Sequence, residues 1–341
     1  LTGQGCALMA LWPRLALAAA LALAADDLCA QARSPLLLPP LPALPPGFAS
    51  PSIPAENPQS PAKVELGRRL FAEGRLAADG HTSCAVCHQP GRAYSDGRVT
   101  PRGATGARLP RNAPTLYNVA YLSRLGWASD ATVSLEAQML TPLLGTHPVE
   151  MGLAGREAEV LKILAADSGY FEAFRSAFAD DEQPVSIANV INSIAAFERS
   201  LVSGRSAFDR YVFDDDRRNM SAAARRGMAL FYGPRTACGE CHSGLQFSNG
   251  QLLPSGIRSA DAGLALETGK VADKGRFRVP TLRNVALTAP YMHDGSLPTL
   301  AAVIAFYNRG GHPPRKPLAL TRGERQELLA FLESLTEVSQ P

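Results

Sequence analysis

The pattern C-x-x-C-H occurs twice, as "CAVCH" (Cys84, Cys87, His88) and as "CGECH" (Cys238, Cys241, His242), and nothing else constrains the chain as strongly. Two thiols at this spacing, followed at once by an imidazole, suit covalent attachment of haem. The thiols add across the vinyl groups while the histidine turns under the ring to ligate iron. Four cysteines could instead build a zinc site, or each pair could be a thioredoxin-like dithiol. Compact zinc modules, however, place their C-x-x-C pairs about 15 to 20 residues apart. Here the pairs lie in different halves of the chain, and no strand-helix-strand pattern frames either one. Two c-type haems are the expected cofactors.

The remaining cysteines support this reading. Of six in 341 residues, Cys6 and Cys29 fall in residues 1–32, which read as a signal peptide with its true start at Met9. There "MALWPR" is a short basic region and "LALAAALALAA" an apolar one too short to span a bilayer. Ala30-Gln31-Ala32 offers cleavage before Arg33, with Ala25 as an alternative. The exported chain then has four cysteines, all in the two motifs, and no thiol left for a structural disulfide. In an oxidising compartment, expected to be the periplasm, something else must consume them. The formal charge of +3 comes with no dense basic block, which argues against a nucleic-acid partner. The mature chain carries no expected membrane span.

Proline crowds residues 33–61, predicting a tether or strap. Beyond it, "VELGRRLF" (64–71) and "ARRGMALF" (224–231) look like one helical phrase used twice, each ahead of a C-x-x-C-H motif. Helical spacing recurs in "AEVLKILAA", "IANVINSIAAFERSLV" and "TLAAVIAFY", and Thr321 with Glu324 predicts a capped final helix. Strand alternation is scarce. The expected fold is all-α, with domains over 62–205 and 206–341, each carrying one haem.

Both motifs, together with "RNAPTLYN" (111–118), "HPVEMG" (147–152) and "FRVPTLRNVALTAPYMHDGSLPTL" (277–300), make the chain similar to the bacterial dihaem cytochrome c peroxidases and MauG-like enzymes. The resemblance spans nearly everything from residue 62 onward. It implies two cytochrome c-like α domains with one calcium ion between them. Glu150 matches the family's distal glutamate, which would move protons as the O–O bond breaks, and Gln138 and Pro142 match the same distal wall. Trp127 matches the tryptophan between the haems, although "WASD" replaces the usual "WDGR" and the spacing to Gln138 is one residue longer. Asn112 and the carbonyls of Thr288 and Pro290 match the calcium ligands.

Classical members carry a histidine after the first motif that blocks the iron; residues 89–114 contain none, so the His88 haem is expected to be open. Opposite His242, the family's ligand position falls on Tyr307, where classical peroxidases have Met and MauG-like members Tyr. Core packing is the competing explanation of Tyr307, and Met292 is the rival ligand. Arg283 and His293 are expected to support the haems, His147 to tune the distal pocket or point away, and His81 and His312 to have no ligand role.

The resemblance therefore implies a MauG-like enzyme in which hydrogen peroxide generates a high-valent dihaem state. That state would oxidise a residue, such as tryptophan, of a partner protein by long-range electron transfer. A classical peroxidase fed by a small redox protein and a non-catalytic electron carrier are the alternatives.

Overall fold

A computed structural model describes residues 43–214, 217–311 and 316–337; the signal-peptide reading and His312 lie outside them. Among the described residues, six α-helices precede residue 205: α1 (Pro61–Phe71), α2 (Cys84–Cys87), α3 (Leu135–Leu144), α4 (Glu157–Ala166), α5 (Ser168–Ala177) and α6 (Ile187–Ser200). Six follow: α7 (Ala207–Phe213), α8 (Ala222–Tyr232), α9 (Cys238–Cys241), α10 (Ala265–Thr268), α11 (Leu300–Asn308) and α12 (Arg322–Ser334). Strands β1 (Leu252–Pro254) and β2 (Arg276–Arg278) pair antiparallel with Leu253 opposite Phe277. The fold is mainly helical.

Hydrophobic burial gathers into two cores. In the first, Leu66 and Leu70 of α1 meet Leu143 of α3, Val160 of α4, Phe174 of α5 and Ile194 of α6. In the second, Phe231 of α8 meets Ile304 of α11 and Leu328 and Phe331 of α12, with Phe247 from the loop after α9. The two cores repeat one construction. A Cβ on Gly67 would stand 1.9 Å from the Ser193 carbonyl oxygen, and one on Gly227 1.9 Å from that of Glu327. Only glycine lets α1 approach α6, and α8 approach α12, this closely. The helical phrase recognised twice in the sequence is thus a helix-crossing device used once per core.

Caps fix the helix starts. Ser60, Ser134, Ser186, Ser221 and Thr299 each accept a backbone N–H of the first turn. Thr321 and Glu324 form the full reciprocal capping box.

The seam between the cores is polar. Asn118 and Asn284, both left-handed at φ 61° and 59°, each donate to Ser203, at 2.7 Å to its carbonyl and 2.8 Å to its hydroxyl. Within the proline-rich stretch, Phe48 packs edge-on against Tyr121 and under the Arg283 guanidinium. Asn57 donates to Glu136 of α3 at 2.7 Å, and Gln59 to the Ala196 carbonyl of α6 at 2.7 Å. Residues 45–59 therefore lie across elements of both cores.

Candidate haem and peroxide site

Each C-x-x-C-H motif forms a single helical turn that ends on its histidine. The His88 amide closes onto the Cys84 carbonyl at 2.8 Å, and the His242 amide onto that of Cys238 at 2.9 Å. Both imidazoles are then oriented in the same way, with Nδ1 bonded to the Tyr94 carbonyl at 2.8 Å in one and to the Phe247 carbonyl at 2.9 Å in the other. A backbone carbonyl on Nδ1 fixes the tautomer and leaves Nε2 as the coordinating nitrogen. Burial pushes both rings below the usual histidine range, so they stay neutral, as an iron ligand must.

The thiols are free and half-buried. Burial, with Glu198 next in weight, raises Cys84; burial pushes Cys87 up to about 11, with Asp96 and Glu150 adding. Burial likewise raises Cys238. Among the described residues, no group of three or more His, Cys, Asp or Glu is arranged to hold a metal ion.

The fit to haem can be tested on polar atoms left without partners. Around the second motif, both side-chain amide atoms of Gln246 and Nη1 of Arg278 are buried and unbonded. Beside the first, Oδ2 of Asp96 is in the same condition. Such atoms are costly to bury unless something polar faces them. A ring with two carboxylates meets that need at the donors of Gln246 and Arg278, so the residues of the second motif fit the group; the Asp96 carboxylate, itself an acceptor, is not met in this way.

The residues matched to the distal wall lie on α3 and in the turn after it. Pro142 interrupts the hydrogen bonding of α3 because it has no N–H, and its carbonyl accepts the Met151 amide at 2.9 Å, which joins α3 to the "HPVEMG" turn. Glu150 lies in that turn, and its backbone carbonyl accepts the Ala104 amide at 2.7 Å. Burial raises its carboxyl above the usual range. Gln138 lies on the same helix, and a Cβ on Gly126 would stand 3.5 Å from its Oε1, which puts the amide against the residue preceding Trp127. His147 is exposed and bonds only to Thr146 at 3.2 Å, and His81 is also exposed.

The indole of Trp127 donates to the Asn112 carbonyl at 2.7 Å, and the Trp127 carbonyl accepts the Arg278 amide at 2.7 Å. The Asn112 amide in turn donates to the His293 carbonyl at 2.7 Å, which brings Asn112 beside the "LTAPYMH" turn. Oδ1 of Asn112 and the carbonyls of Thr288 and Pro290 accept no hydrogen bond among the described residues. His293 is 1% exposed and stacks on Phe277 at 3.7 Å, with neither ring nitrogen bonded.

Arg283, expected to support the haem environment, is 2% exposed, chelates Asp209 through contacts of 2.9 and 3.0 Å, and gives Nε to the Leu245 carbonyl at 2.7 Å. Tyr307 is 44% exposed at the end of α11, whereas Leu300 and Ile304 form the buried face of that helix. Core packing therefore does not explain this tyrosine. Met292 occupies a left-handed turn position at φ 76°.

Paired, carbonyl-oriented histidines on single-turn C-x-x-C helices define a helical protein built for covalently bound haem. The sequence model for di-haem cytochrome c peroxidases matches residues 61–217. The methylamine utilization protein MauG of Methylorubrum extorquens is 38% identical over 294 residues, 83% of this chain and 80% of that protein. Cytochrome-c peroxidase IdrP1 of Denitromonas iodatirespirans is 37% identical, over 95% of this chain and 92% of its own. A crystal structure of a MauG-like protein associated with microbial copper homeostasis superposes with a TM-score of 0.80 at 37% identity, covering 87% of this chain and 95% of that one. This chain belongs to the di-haem cytochrome c peroxidase/MauG family. Membership makes it a haem-dependent peroxidase or oxidoreductase and implies two haems. Among the described residues, no helix is long and apolar enough to cross a membrane.

Proposed function

We propose that this enzyme is MauG-like: it uses hydrogen peroxide to oxidise a residue of a partner protein in the periplasm. The feature that carries the reading is Tyr307, which matches the family's ligand position in its sequence context and lies outside the buried second core. A phenolate there stabilises ferric and higher states, whereas methionine would favour electron entry. His88 and His242 would hold the two irons, one in each domain, with the thioethers on Cys84, Cys87, Cys238 and Cys241. The haems would supply the iron that binds peroxide and stores its oxidising equivalents.

The protein's own contribution lies in positioning and proton transfer. Glu150, with its affinity for protons raised by burial, would take the proton from peroxide and return it to the departing oxygen. Gln138 and Pro142 would shape the wall beside it. Trp127, fixed at both its indole N–H and its carbonyl, would give electrons one defined route between the halves. Asn112, Thr288 and Pro290 would offer oxygens to a structural calcium at the seam.

A second reading, a classical peroxidase that reduces peroxide with electrons from a small redox protein, is favoured by the relative named cytochrome-c peroxidase. Optical and EPR spectra of the ferric protein separate the two. His/Tyr ligation at the second haem supports the first reading, and His/Met ligation supports the second.

A further inference from the structure

Arg278, at the end of β2, is 5% exposed, and its Nη1 has no hydrogen-bond partner. Burial alone pushes its guanidinium down to about 10, with no charged neighbour acting on it. Two other buried arginines have carboxylates: Arg283 has Asp209, and Arg199 has Glu136 at 2.7 Å. A guanidinium is seldom buried without an anion, because desolvation is then uncompensated. The rest of Arg278 is committed to the tryptophan, since its amide donates to the Trp127 carbonyl at 2.7 Å and its Nε to the Gly126 carbonyl at 2.8 Å.

The missing anion belongs on the side of the second motif. One residue on, the Val279 carbonyl accepts the Ser248 hydroxyl at 2.6 Å, in the loop that follows His242. Thr281 donates to the Gln246 carbonyl at 2.7 Å, and the Gln246 side chain, 7% exposed, also has both polar atoms unbonded. Two buried polar side chains with idle atoms thus flank the loop that presents His242.

We propose that Nη1 of Arg278 binds a carboxylate of the haem held by Cys238, Cys241 and His242, and that the same residue, through its amide and Nε, sets the position of Trp127. Arg278 is a positioning residue that makes the haem's carboxylate and the tryptophan's backbone parts of one hydrogen-bonded unit. The proposal rests on the two-haem reading and is independent of the choice between Tyr307 and Met292.

The test uses the holoprotein with Arg278→Gln and Arg278→Lys. Pyridine haemochrome assay comes first: two covalent haems per chain are required, and a different count would sink the two-haem reading rather than the role of the arginine. Redox titration then follows each haem separately. Loss of the cation leaves the carboxylate's charge uncompensated and favours ferric iron. Arg278→Gln should therefore shift the ferric/ferrous ratio of the His242 haem toward ferric about tenfold, ~59 mV for one electron, with the His88 haem unmoved. Arg278→Lys should restore most of the shift. An unchanged His242 haem in folded Arg278→Gln, or a shift confined to the His88 haem, overturns the proposal. A crystal structure of the unsubstituted holoprotein decides the matter even if the variants do not fold. A haem carboxylate on Nη1 supports the assignment, and a water or a protein carboxylate there refutes it.

Discussion

The indole N–H of Trp127 donates to the carbonyl of Asn112 at 2.7 Å, so the aromatic ring between the two halves is held by the residue that also matches the family's calcium ligands. Trp127→Phe keeps an aromatic ring and removes the donor. It should cost about 1 kcal/mol in a denaturant titration and leave the ferric spectra of both haems unchanged. The near-infrared band that reports charge shared between the irons after peroxide addition should disappear. Retention of that band in the phenylalanine variant would remove the tryptophan from the route.

Glu150 is the proton carrier in this account. Glu150→Gln should slow peroxide consumption by about 10²–10⁴-fold without altering haem content. Because burial raises this carboxyl above 4.5, and the resting protein needs the carboxylate to accept a proton, the acid limb of kcat/KM should lie above that pH. The limb should vanish in the glutamine variant. A pH–rate profile of both proteins checks the two statements together.

Arg283 and Asp209, 2% and 3% exposed in their side chains, form the most deeply buried ion pair described in the second half. Asp209→Asn leaves the guanidinium charged and unpaired, which should destabilise the fold by about 3–5 kcal/mol. The potential of the His242 haem should stay where it is, in contrast to the effect of Arg278→Gln. Guanidinium denaturation and redox titration of the variant check both outcomes, and a shifted His242 potential would give Arg283 a role at the haem.

Glu198 of α6 is 3% exposed, and burial raises its carboxyl to about 8, with Glu136 adding to the shift and Arg199 opposing it. A raised carboxyl favours the protonated folded state. Its contribution to stability is complete below 4.5 and is lost as pH rises through about 8. Glu198→Gln should therefore flatten the fall in denaturation midpoint across that window and be more stable than the parent at the alkaline end. Parallel slopes for the two proteins would contradict this.

Much of the helical framework was legible because its signals are local. The 3.6-residue spacing in 187–200 and 300–308, the Thr321–Glu324 cap and the duplicated glycine phrase each act within a turn or two of chain. The candidate site was legible where chemistry demands a fixed motif, as at both C-x-x-C-H segments. The roles of the arginines were not, since Arg283 meets a carboxylate 74 residues away and no local pattern announces that pairing. A second internal repeat would have helped. "PTLYNV" (114–119) and "PTLRNV" (280–285) place Asn118 and Asn284 in the same left-handed turn, and Asn112 and Arg278 at the same offset ahead of it. In that repeat the residue corresponding to the expected calcium ligand is Arg278.

The central claim is that this enzyme responds to peroxide as a MauG-like protein, with an open iron at His88 joined through Trp127 to a second iron under Tyr307. Stopped-flow addition of hydrogen peroxide to the fully ferric holoprotein, with no reductant present, tests it most directly. The account predicts a rapid optical change at both haems together with a near-infrared charge-resonance band. A protein that stays spectroscopically inert until one haem has been reduced would contradict it.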